Sequence, residues 1–331
     1  PLARDITAAL AGNGPTLGFG EVNSEFGPTQ AAVVIGTSGT TGAPKEIFLS
    51  SHALISSARA SNAFVGAKPG DTWSLLLPLT HVAAVNVFVR AFELGTIPVD
   101  LRNHSGEYPR VNFTAIVPTQ LFRALNGDDH LLKHLQGAQK VLVGGAALSS
   151  PIQNQATAAG INVVTTYGMS ETSGGCVYNG EILEGTEVEV RGGSIFIRGN
   201  ILALNLDLSD GWFETKDLGE FVDEKLVVIG RSDDVIISGG ENLSLNTVES
   251  ILNENFPDIQ CAAFSVDDPQ WGHTLHIAVV GQADSDGIAT VLESKIGTFA
   301  KPKGIHFVNS LPLLGIGKVD RKRLAQELSN E

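Results

Sequence analysis

The sequence contains a ten-residue run, Gly36-Thr37-Ser38-Gly39-Thr40-Thr41-Gly42-Ala43-Pro44-Lys45, directly after an apolar stretch at residues 31–35. Glycine allows backbone conformations that point several N–H groups the same way, the hydroxyl groups add donors, and Lys45 adds a positive charge. The run therefore predicts a phosphate-binding loop at the end of a β-strand. It is not a Walker A loop, because the Gly-Lys-Ser/Thr triplet of that motif is missing. Taken alone, it could also be an ordinary Gly/Ser/Thr turn.

Short β-rich runs alternate with helix-like stretches from residue 31 to residue 166. The runs are residues 31–35, 72–77, 113–117, 140–143 and 162–165. Such alternation is typical of a parallel β-sheet with crossover helices. We therefore expect an α/β fold, with the predicted phosphate-binding loop after the first strand.

A different pattern follows between residues 185 and 230. Alternating runs at 187–191 and 194–198 flank Gly192-Gly193, which is a two-residue hairpin signal. The pattern predicts a β-rich subdomain after the parallel sheet.

The last part of the chain has its own order of predicted elements. It reads as a strand, a helix at 246–253, a strand at 275–281, a helix at 288–299 and a basic terminal helix. A segment of about 100 residues with this order can fold by itself as an α+β unit. We place the boundary near Ser232 and Asp233, which predicts a large N-terminal domain at residues 1–232 and a small C-terminal domain at residues 233–331.

Composition narrows the class of protein. The chain has 331 residues, 43% of them hydrophobic and 18% charged, which is enough to build the cores of two domains. The net charge of −14, without a block of Lys and Arg, argues against a nucleic-acid partner. Cys176 and Cys261 are the only cysteines, and their spacing suits neither a disulfide framework nor a zinc site, so we expect a cytoplasmic protein.

We expect neither a membrane span nor a signal segment. The most apolar long window, residues 79–99, is interrupted by four polar or charged side chains: His81, Asn86, Arg90 and Glu93. No basic-then-apolar segment opens the sequence. Pro1 fits either removal of an initiator Met or a trimmed chain.

The run at residues 36–45 resembles the phosphate-binding motif of the adenylate-forming superfamily, which contains acyl-CoA synthetases, firefly luciferase and peptide-synthetase adenylation domains. Glu46 stands where family members usually have glycine, a change at the loop exit that leaves the phosphate donors in place. The resemblance implies that ATP phosphates are bound by Thr37, Ser38, Gly39, Thr40, Thr41, Gly42 and Lys45. It also implies a catalytic role for Lys45.

Tyr167-Gly168-Met169-Ser170-Glu171 resembles the Tyr-Gly-x-Thr-Glu motif of the same superfamily, with a hydroxyl kept at Ser170. The resemblance implies that Glu171 is catalytic and helps to hold Mg²⁺, a hard cation that prefers carboxylate and phosphate oxygens. It further implies that Tyr167 packs along the adenine, beside Gly168, and that Ser170 donates to the α-phosphate. By itself, Glu171 could be a carboxylate that starts a helix.

Gly144-Gly145-Ala146 matches the family turn whose backbone passes close to the adenine, and a plain strand-to-helix turn is the alternative. The stretch at 211–219 resembles a Trp-Phe-x-Thr-Gly-Asp motif, which implies that Asp217 accepts hydrogen bonds from the ribose hydroxyls. Lys216 stands where glycine is usual.

The segment Gly230-Arg231-Ser232-Asp233-Asp234 matches the Gly-Arg-x-Asp-Asp hinge motif of the superfamily. The resemblance implies that Arg231 reaches the ribose or a phosphate and that Asp233 is the hinge of a small, mobile C-terminal domain. Without its position in the motif order, the segment would be an unremarkable surface turn with an ion pair.

Two segments of the predicted C-terminal domain carry further resemblances. Gly315-Ile316-Gly317-Lys318-Val319-Asp320-Arg321 resembles the final family motif, which implies that Lys318 enters the active site for adenylation. Ser238, Gly239 and Gly240 lie in a loop that the resemblance places beside the pantetheine arm of coenzyme A. Alone, Lys318 would be a solvated lysine beside flexible glycines.

The acid is indicated by resemblance alone. Residues 167–178, together with the short length, look most similar to the o-succinylbenzoate–CoA ligases of menaquinone biosynthesis, whose substrate has two carboxylates and is activated at the succinyl one. Pro78-Leu79-Thr80-His81 resembles the family segment that lines and gates the acyl pocket, which implies a catalytic role for His81. Taken alone, His81 would more often be a capped or surface histidine.

The substrate's second carboxylate needs a cation if it is buried. The resemblance implies that Arg90 supplies it, with Asn86 one turn earlier on the same helix face and Arg123 as a second candidate. Without the resemblance, an Arg90 that caps or snorkels from its helix is equally expected.

The motif order over nearly the entire chain therefore implies an ATP- and Mg²⁺-dependent ligase. It would convert o-succinylbenzoate and coenzyme A to the thioester, AMP and pyrophosphate through an acyl-adenylate. One alternative is a ligase for another aromatic or fatty acid, and another is a decayed, nucleotide-binding regulator, against which the intact Lys318, Glu171 and Asp217 weigh. Only about 35 residues precede the phosphate loop, which leaves a homo-oligomer as an open expectation.

Overall fold

The structure is a computed structural model that describes residues 1–37, 45–238, 241–268, 272–314 and 318–328, with the backbone alone for Gly272, Leu314 and Lys318. Within these ranges the helices are α1 (Leu2–Leu10), α2 (Ser51–Val65), α3 (Val82–Glu93), α4 (Pro118–Leu125), α5 (Asp129–Gly137), α6 (Ser150–Ala158), α7 (Leu245–Asn255), α8 (Ser285–Lys295) and α9 (Arg321–Leu328). The strands of the first half are β1 (Leu17–Phe19), β2 (Ala31–Thr37), β3 (Lys45–Ser50), β4 (Trp73–Leu75), β5 (Val99–Asp100), β6 (Phe113–Ile116), β7 (Lys140–Val143), β8 (Val163–Met169), β9 (Gly174–Tyr178) and β10 (Glu181–Ile182). Those of the second half are β11 (Thr186–Arg191), β12 (Ser194–Gly199), β13 (Phe213–Val222), β14 (Lys225–Arg231), β15 (Val235–Ser238), β16 (Glu241–Ser244), β17 (Gln260–Asp268), β18 (Gly272–Val280), β19 (Gly304–Phe307), β20 (Leu313–Leu314) and β21 (Lys318–Val319).

A seven-stranded sheet in the order β10-β9-β8-β7-β6-β4-β5 organises the first half of the chain. The neighbours from β5 to β8 are parallel, whereas β9 and β10 are added antiparallel. Leu142 of β7 lies in the core beneath α2 and α3, while Val141 and Val143 lie in the core beneath α4, α5 and α6. Helices therefore cover both faces, and the predicted α/β fold with a parallel sheet is confirmed.

The first predicted strand does not belong to this sheet. β2 pairs with β1 and β3 in a separate three-stranded sheet, parallel to β1 and antiparallel to β3. The expectation that residues 31–35 join the parallel sheet was wrong. The reason is that β2 has β3, the next strand in the chain, as its antiparallel partner, whereas a parallel sheet needs crossover connections between its strands.

The β-rich subdomain is a four-stranded antiparallel sheet in the order β11-β12-β13-β14. Arg191 pairs with Ser194 across the two-residue turn, where φ is +57° at Gly192 and +87° at Gly193. Two successive positive φ angles favour glycine and match the twist of the flanking strands. The hairpin predicted from these two glycines is confirmed.

The last part of the chain forms a sheet in the order β16-β15-β18-β17, with β19 parallel to β18. β17 was not predicted, because both of its faces are buried and it shows no apolar–polar alternation. Ala263 lies in the core shared with α7 and α8, and Phe264 lies in the core shared with α9. The helix predicted at 288–299 ends earlier, at Lys295, before Gly297 with a φ of +136°.

In the described part of the chain, no helix is long and apolar enough to cross a membrane. The apolar window at 79–99 folds as α3, a 12-residue helix whose side chains are mostly buried in the core beneath the sheet.

Candidate active site

Lys45 and Glu171 meet at the end of the predicted phosphate-binding loop. Thr37 pairs with Lys45 across the β2–β3 hairpin, and the Thr37 hydroxyl donates to the Lys45 carbonyl oxygen at 2.9 Å. The Lys45 Nζ lies 3.3 Å from Oε1 of Glu171. The remaining predicted loop donors, Ser38, Gly39, Thr40, Thr41 and Gly42, lie outside the described residues. The structure thus brings the two ends of the loop and Glu171 together.

Glu171 is positioned by a 3₁₀ turn at Ser170–Thr172, directly after β8. The Thr172 hydroxyl accepts from the Met169 N–H at 3.0 Å and donates to the Gly174 carbonyl at 2.7 Å, which fixes the turn between β8 and β9. The Glu171 carbonyl accepts from the Ala203 N–H at 2.9 Å. Main-chain contacts therefore hold the backbone of Glu171 at the end of a strand, and its carboxylate faces the ammonium of Lys45.

A magnesium ion fits this arrangement only together with a nucleotide. Among the described residues, no group of three or more His, Cys, Asp and Glu side chains could hold a metal ion. Mg²⁺ prefers octahedral oxygen ligands and often takes several from phosphates and water. One carboxylate at Glu171 beside the phosphate-binding loop suits this pattern.

Tyr167, Asp217 and Arg231 form a second cluster. The Tyr167 hydroxyl donates to Oδ2 of Asp217 at 2.8 Å, and Nη1 of Arg231 lies 3.4 Å from Oδ1 of the same carboxylate. Burial and the Asp217 charge raise the pKa of Tyr167, so the phenol stays protonated and donates. Asp217 is 8% exposed, and each oxygen of a carboxylate can accept a second hydrogen bond. The cluster can hold a ribose diol.

Arg231 also binds the predicted hinge residue. Its Nε and Nη2 donate to the two oxygens of Asp233 at 2.7 and 2.9 Å, a bidentate pair. These hydrogen bonds lower the pKa of the Asp233 carboxyl. Lys216, which stands where the family has glycine, places its Nζ 3.8 Å from Oδ2 of Asp233. The predicted ribose contact and the predicted hinge are thereby joined through one guanidinium.

The turn at Gly144-Gly145-Ala146 follows β7 at the same end of the sheet as the end of β8. A side chain at Gly144 would collide with the Thr166 hydroxyl on β8, and Gly145 has a φ of +85°. A side chain at Gly168 would collide with the Gly174 carbonyl on β9. Gly144 and Gly168 therefore permit close approach of the strands beside Tyr167. Gly145 and Ala146 are exposed.

His81 precedes α3, and its Nε2 is buried without a hydrogen-bond partner among the described residues. Burial lowers the pKa of His81, which favours the neutral imidazole. Further along α3, Nδ2 of Asn86 donates to the Ser173 carbonyl at 2.5 Å, while Oδ1 of Asn86 has no described partner. Both side chains thus keep unused hydrogen-bonding atoms inside the protein.

Arg90 lies one turn after Asn86 and is only 4% exposed. Its Nη2 donates to the Tyr178 hydroxyl at 3.1 Å, and its guanidinium carbon lies 5.0 Å from the centre of the Trp73 ring. The Tyr178 hydroxyl also contacts Oγ of Ser61 at 2.9 Å. Arg90 neither caps its helix nor snorkels to solvent: it is a buried cation, and its Nε has no partner among the described residues.

The remaining predicted acyl-site residue lies elsewhere. The Arg123 side chain is 58% exposed on α4 and pairs with Asp128 at 3.1 Å. The structure therefore does not bury Arg123 with Arg90, because a nearby carboxylate holds it in the turn between α4 and α5.

The predicted coenzyme A and lysine segments are described only in part. Ser238 ends β15 and its hydroxyl donates to the Phe299 carbonyl at 3.0 Å, whereas Gly239 and Gly240 lie outside the described residues. The backbone of Lys318 pairs with Leu314 in the β20–β21 hairpin, and its amine lies outside the described part.

Tyr178, Ser61 and Trp73 are the polar and aromatic surroundings of Arg90 that sequence reasoning did not assign. Ser57 and Ser61 lie four residues apart on one buried face of α2, and Ser57 Oγ has no described partner. Two serines at helical spacing on the face of a helix that also carries apolar residues were the available signal.

Two protein-family models match the sequence of this chain. Residues 6–197 match the family described as AMP-binding enzyme, and residues 247–318 match the AMP-binding enzyme C-terminal domain. The chain belongs to the AMP-binding enzyme family.

Two relatives with similar sequences carry the same activity in their names. A probable 2-succinylbenzoate–CoA ligase of Mycobacterium tuberculosis (strain H37Rv) is 37% identical, over 91% of this chain and 85% of the relative. The 2-succinylbenzoate–CoA ligase of Lactococcus lactis is 27% identical, over 92% of this chain and 72% of the relative.

Solved structures share the fold. The o-succinylbenzoate CoA synthetase of Bacillus subtilis, in complex with its acyl-adenylate intermediate, has a TM-score of 0.76 at 24% identity, covering 89% of this chain and 69% of that one. ATP-bound MatB from Rhodopseudomonas palustris has a TM-score of 0.79 at 23% identity, covering 93% and 70%.

Proposed function

We propose that this chain is an ATP- and Mg²⁺-dependent ligase that joins 2-succinylbenzoate (o-succinylbenzoate) to coenzyme A in menaquinone biosynthesis. The proposal is supported by the family, by the names of two relatives that match most of the chain, by the Lys45–Glu171 pair and by the cluster around Asp217. We place the reaction in the cytoplasm, because both cysteines are free thiols.

The first half-reaction forms a bond between a carboxylate oxygen and the α-phosphorus of ATP and releases pyrophosphate. The difficulty is that two anions must approach each other. Lys45 stands at the loop exit, where its ammonium can donate to a phosphate oxygen, and a preorganised donor of this kind contributes roughly 3 to 4 kcal/mol. Glu171, together with the phosphates, would hold Mg²⁺, which would neutralise further negative charge.

The nucleoside is held by the second cluster. Asp217, oriented by the Tyr167 hydroxyl and Arg231, accepts from the ribose hydroxyls, and the exposed backbone at Gly145 and Ala146 borders the adenine. Lys318 belongs to the C-terminal part and acts in the first half-reaction alone. In the second half-reaction the thiolate of coenzyme A attacks the acyl carbon, the bond to the phosphate oxygen breaks, and AMP leaves.

The observation that supports the choice of substrate is the burial of Arg90 without a carboxylate partner among the described residues. A buried guanidinium without a carboxylate partner is unfavourable unless an anion or several acceptors surround it. Arg90 has one hydroxyl acceptor and an aromatic face, and no carboxylate pairs with it among the described residues. An acid that brings a second carboxylate would complete this site.

The test compares two acids in the coenzyme A ligation assay: 2-succinylbenzoate and 4-oxo-4-phenylbutanoate, which lacks the ring carboxylate. Wild type should prefer the diacid. Arg90→Met should lower kcat/KM for the diacid by roughly 10- to 100-fold, the value of a hydrogen-bonded charged contact, and leave the monoacid nearly unchanged.

Arg123→Met is the matched control, because Arg123 is an exposed arginine on a neighbouring helix. It should change neither acid. A wild-type preference for the monoacid, or a loss of the diacid in Arg123→Met alone, would contradict the substrate proposal.

A further inference from the structure

Two consecutive aspartates at the proposed hinge contact two different arginines. Asp233 is bound by Arg231, which also reaches Asp217 on the nucleotide side. Oδ2 of Asp234 instead lies 3.3 Å from Nη1 of Arg321, which is 87 residues further along the chain. The hinge is therefore attached by ion pairs in both directions.

Arg321 uses its whole guanidinium inside the C-terminal part. Its Nε donates to the Ala263 carbonyl on β17 at 2.9 Å, and its Nη2 donates to Asn246 at 3.0 Å and to Glu249 at 2.9 Å, both on α7. Glu249 accepts in addition from the Ala263 N–H at 2.9 Å. Because the five N–H groups of a guanidinium have a rigid planar geometry, this set of partners fixes the side chain in one orientation.

Arg321 is also adjacent to the lysine hairpin. It is the first residue of α9, three positions after Lys318, and the β20–β21 hairpin runs into this helix without a linker. The Asp320 N–H donates to the Pro312 carbonyl at 2.8 Å, and the Asp320 carboxylate accepts from the Arg323 N–H at 3.1 Å. The base of the hairpin and the start of α9 are thus one rigid turn.

We infer that Arg321 is a positioning residue that ties the Lys318 hairpin to the hinge through Asp234. A rotation at Asp233 then moves the hairpin as part of one body and delivers Lys318 to the nucleotide site at a fixed position. The inference rests on the proposed function, which gives Lys318 its role in adenylation. Without Arg321 the hairpin can tilt against α7 and β17, which disturbs the step that uses Lys318 and spares the step that does not.

The first test measures the two half-reactions separately in the full chain. Adenylation is followed by ATP–pyrophosphate exchange with 2-succinylbenzoate, and thioester formation by adding coenzyme A to preformed 2-succinylbenzoyl-adenylate. Arg321→Lys, which keeps the charge but not the planar fork, should slow adenylation by roughly 10- to 100-fold, because a misplacement of about 1 Å can cost that much, and thioester formation by less than about twofold. Asp234→Asn should act in the same direction with a smaller loss.

Arg323→Lys is the matched control, because Arg323 lies on the same helix, is 61% exposed, and pairs its guanidinium with Glu327 one turn later. It should change neither half-reaction. An equal loss in both half-reactions of Arg321→Lys would indicate a merely structural role and overturn the inference, as would unchanged adenylation.

The second test needs no substrate. Amide hydrogen exchange should become faster in Arg321→Lys for a peptide covering residues 311–320, and should stay unchanged for α8, because the hydrogen-bond partners of Arg321 given above lie on other elements. Unchanged exchange in the hairpin, or faster exchange throughout the C-terminal part, would contradict the inference.

Lys318→Ala separates this inference from the proposed function. If that variant keeps normal adenylation, the role proposed for Lys318 is wrong. The hydrogen-exchange experiment then still tests whether Arg321 ties the hairpin to the hinge. If Lys318→Ala slows adenylation selectively and Arg321→Lys does not, the inference alone fails.

Discussion

The ammonium of Lys45 lies 3.3 Å from the carboxylate of Glu171, although 126 residues separate them in the chain. Lys45 begins the strand that follows the predicted phosphate-binding loop, and Glu171 lies in the turn after a strand of the larger sheet. A lysine and a carboxylate beside a glycine-rich loop are the groups that a nucleotide triphosphate and Mg²⁺ require together. In the structure, the ammonium of Lys45 and the carboxylate of Glu171 pair with each other. We therefore expect the pair to separate when the nucleotide binds.

Glu171→Gln should slow adenylation by roughly 100-fold, because the carboxylate that we propose as a Mg²⁺ ligand is replaced by a neutral amide of the same size. The magnesium concentration needed for half-maximal ATP–pyrophosphate exchange should rise. Glu181→Gln removes an exposed carboxylate that is nearby in the sequence and pairs with Lys225, and it should have no effect. An unchanged magnesium dependence in Glu171→Gln would exclude the assigned role.

Asp217→Asn should raise the KM for ATP by roughly 10- to 100-fold, since hydrogen bonds to a charged group contribute about 1.5 to 3 kcal/mol. The same change weakens the contacts with Tyr167 and Arg231. Asp223→Asn is the control, because Asp223 lies on the exposed β13–β14 turn at a φ of +46°, which Asn also adopts readily. ATP affinity measured by calorimetry that stays equal in wild type and Asp217→Asn would refute a ribose contact at this carboxylate.

His134 should make the free energy of unfolding depend on pH. Its Nδ1 lies 3.1 Å from the Pro109 carbonyl and its Nε2 lies 3.0 Å from the Ser74 hydroxyl, so the buried neutral ring donates with one nitrogen and accepts with the other. Burial lowers the pKa of His134 below its ordinary value of 6.5. The unfolded chain therefore binds the proton more readily, and stability should be unaffected well above pH 6.5 and should fall as the pH drops through 6.5.

The measurement is urea unfolding between pH 8 and pH 5.5 for wild type and His134→Gln. The variant should be less stable at pH 8 and should lose less stability on acidification. Some pH dependence should persist, because burial also lowers the pKa of His81 and His276. His130→Gln, an exposed position on the same helix, is the control; if it flattens the pH dependence as much as His134→Gln does, the assignment to the buried ring is wrong.

Neither cysteine should react with a thiol reagent in the folded protein. Burial raises the pKa of the Cys176 thiol and of the Cys261 thiol to about 12, so almost no thiolate exists at pH 8. Titration with dithionitrobenzoate should give no fast reaction in the native state and two equivalents in guanidinium chloride. One fast equivalent in the native state would show that a thiol is more accessible than the structure indicates.

Sequence patterns predicted the structural elements that depend on residues close together in the chain. Gly192-Gly193 predicted a hairpin, because few other residues adopt two successive positive φ angles. The short β-rich runs between helices predicted the parallel sheet. The sheet membership of β2 could not be read in this way, because it depends on the return of the chain as β3. β17 was missed because burial on both faces removes the alternation that marks a strand.

The site shows the same limit. Motif order indicated Lys45, Glu171, Tyr167 and Asp217, and the structure places these side chains in two contacting pairs. The surroundings of Arg90 were not predictable, because Tyr178 reaches it from a strand 88 residues further along the chain. Contacts of this kind follow from the tertiary fold and leave no periodic signal in one sequence.

The central claim is that Lys45 and Glu171 flank a single nucleotide site at which an acid is adenylated. ATP–pyrophosphate exchange in the absence of coenzyme A tests it most directly. The account predicts exchange that requires both 2-succinylbenzoate and Mg²⁺, followed, on addition of coenzyme A, by equal amounts of thioester and AMP. Release of ADP and inorganic phosphate, or the absence of exchange with every carboxylic acid, would contradict it.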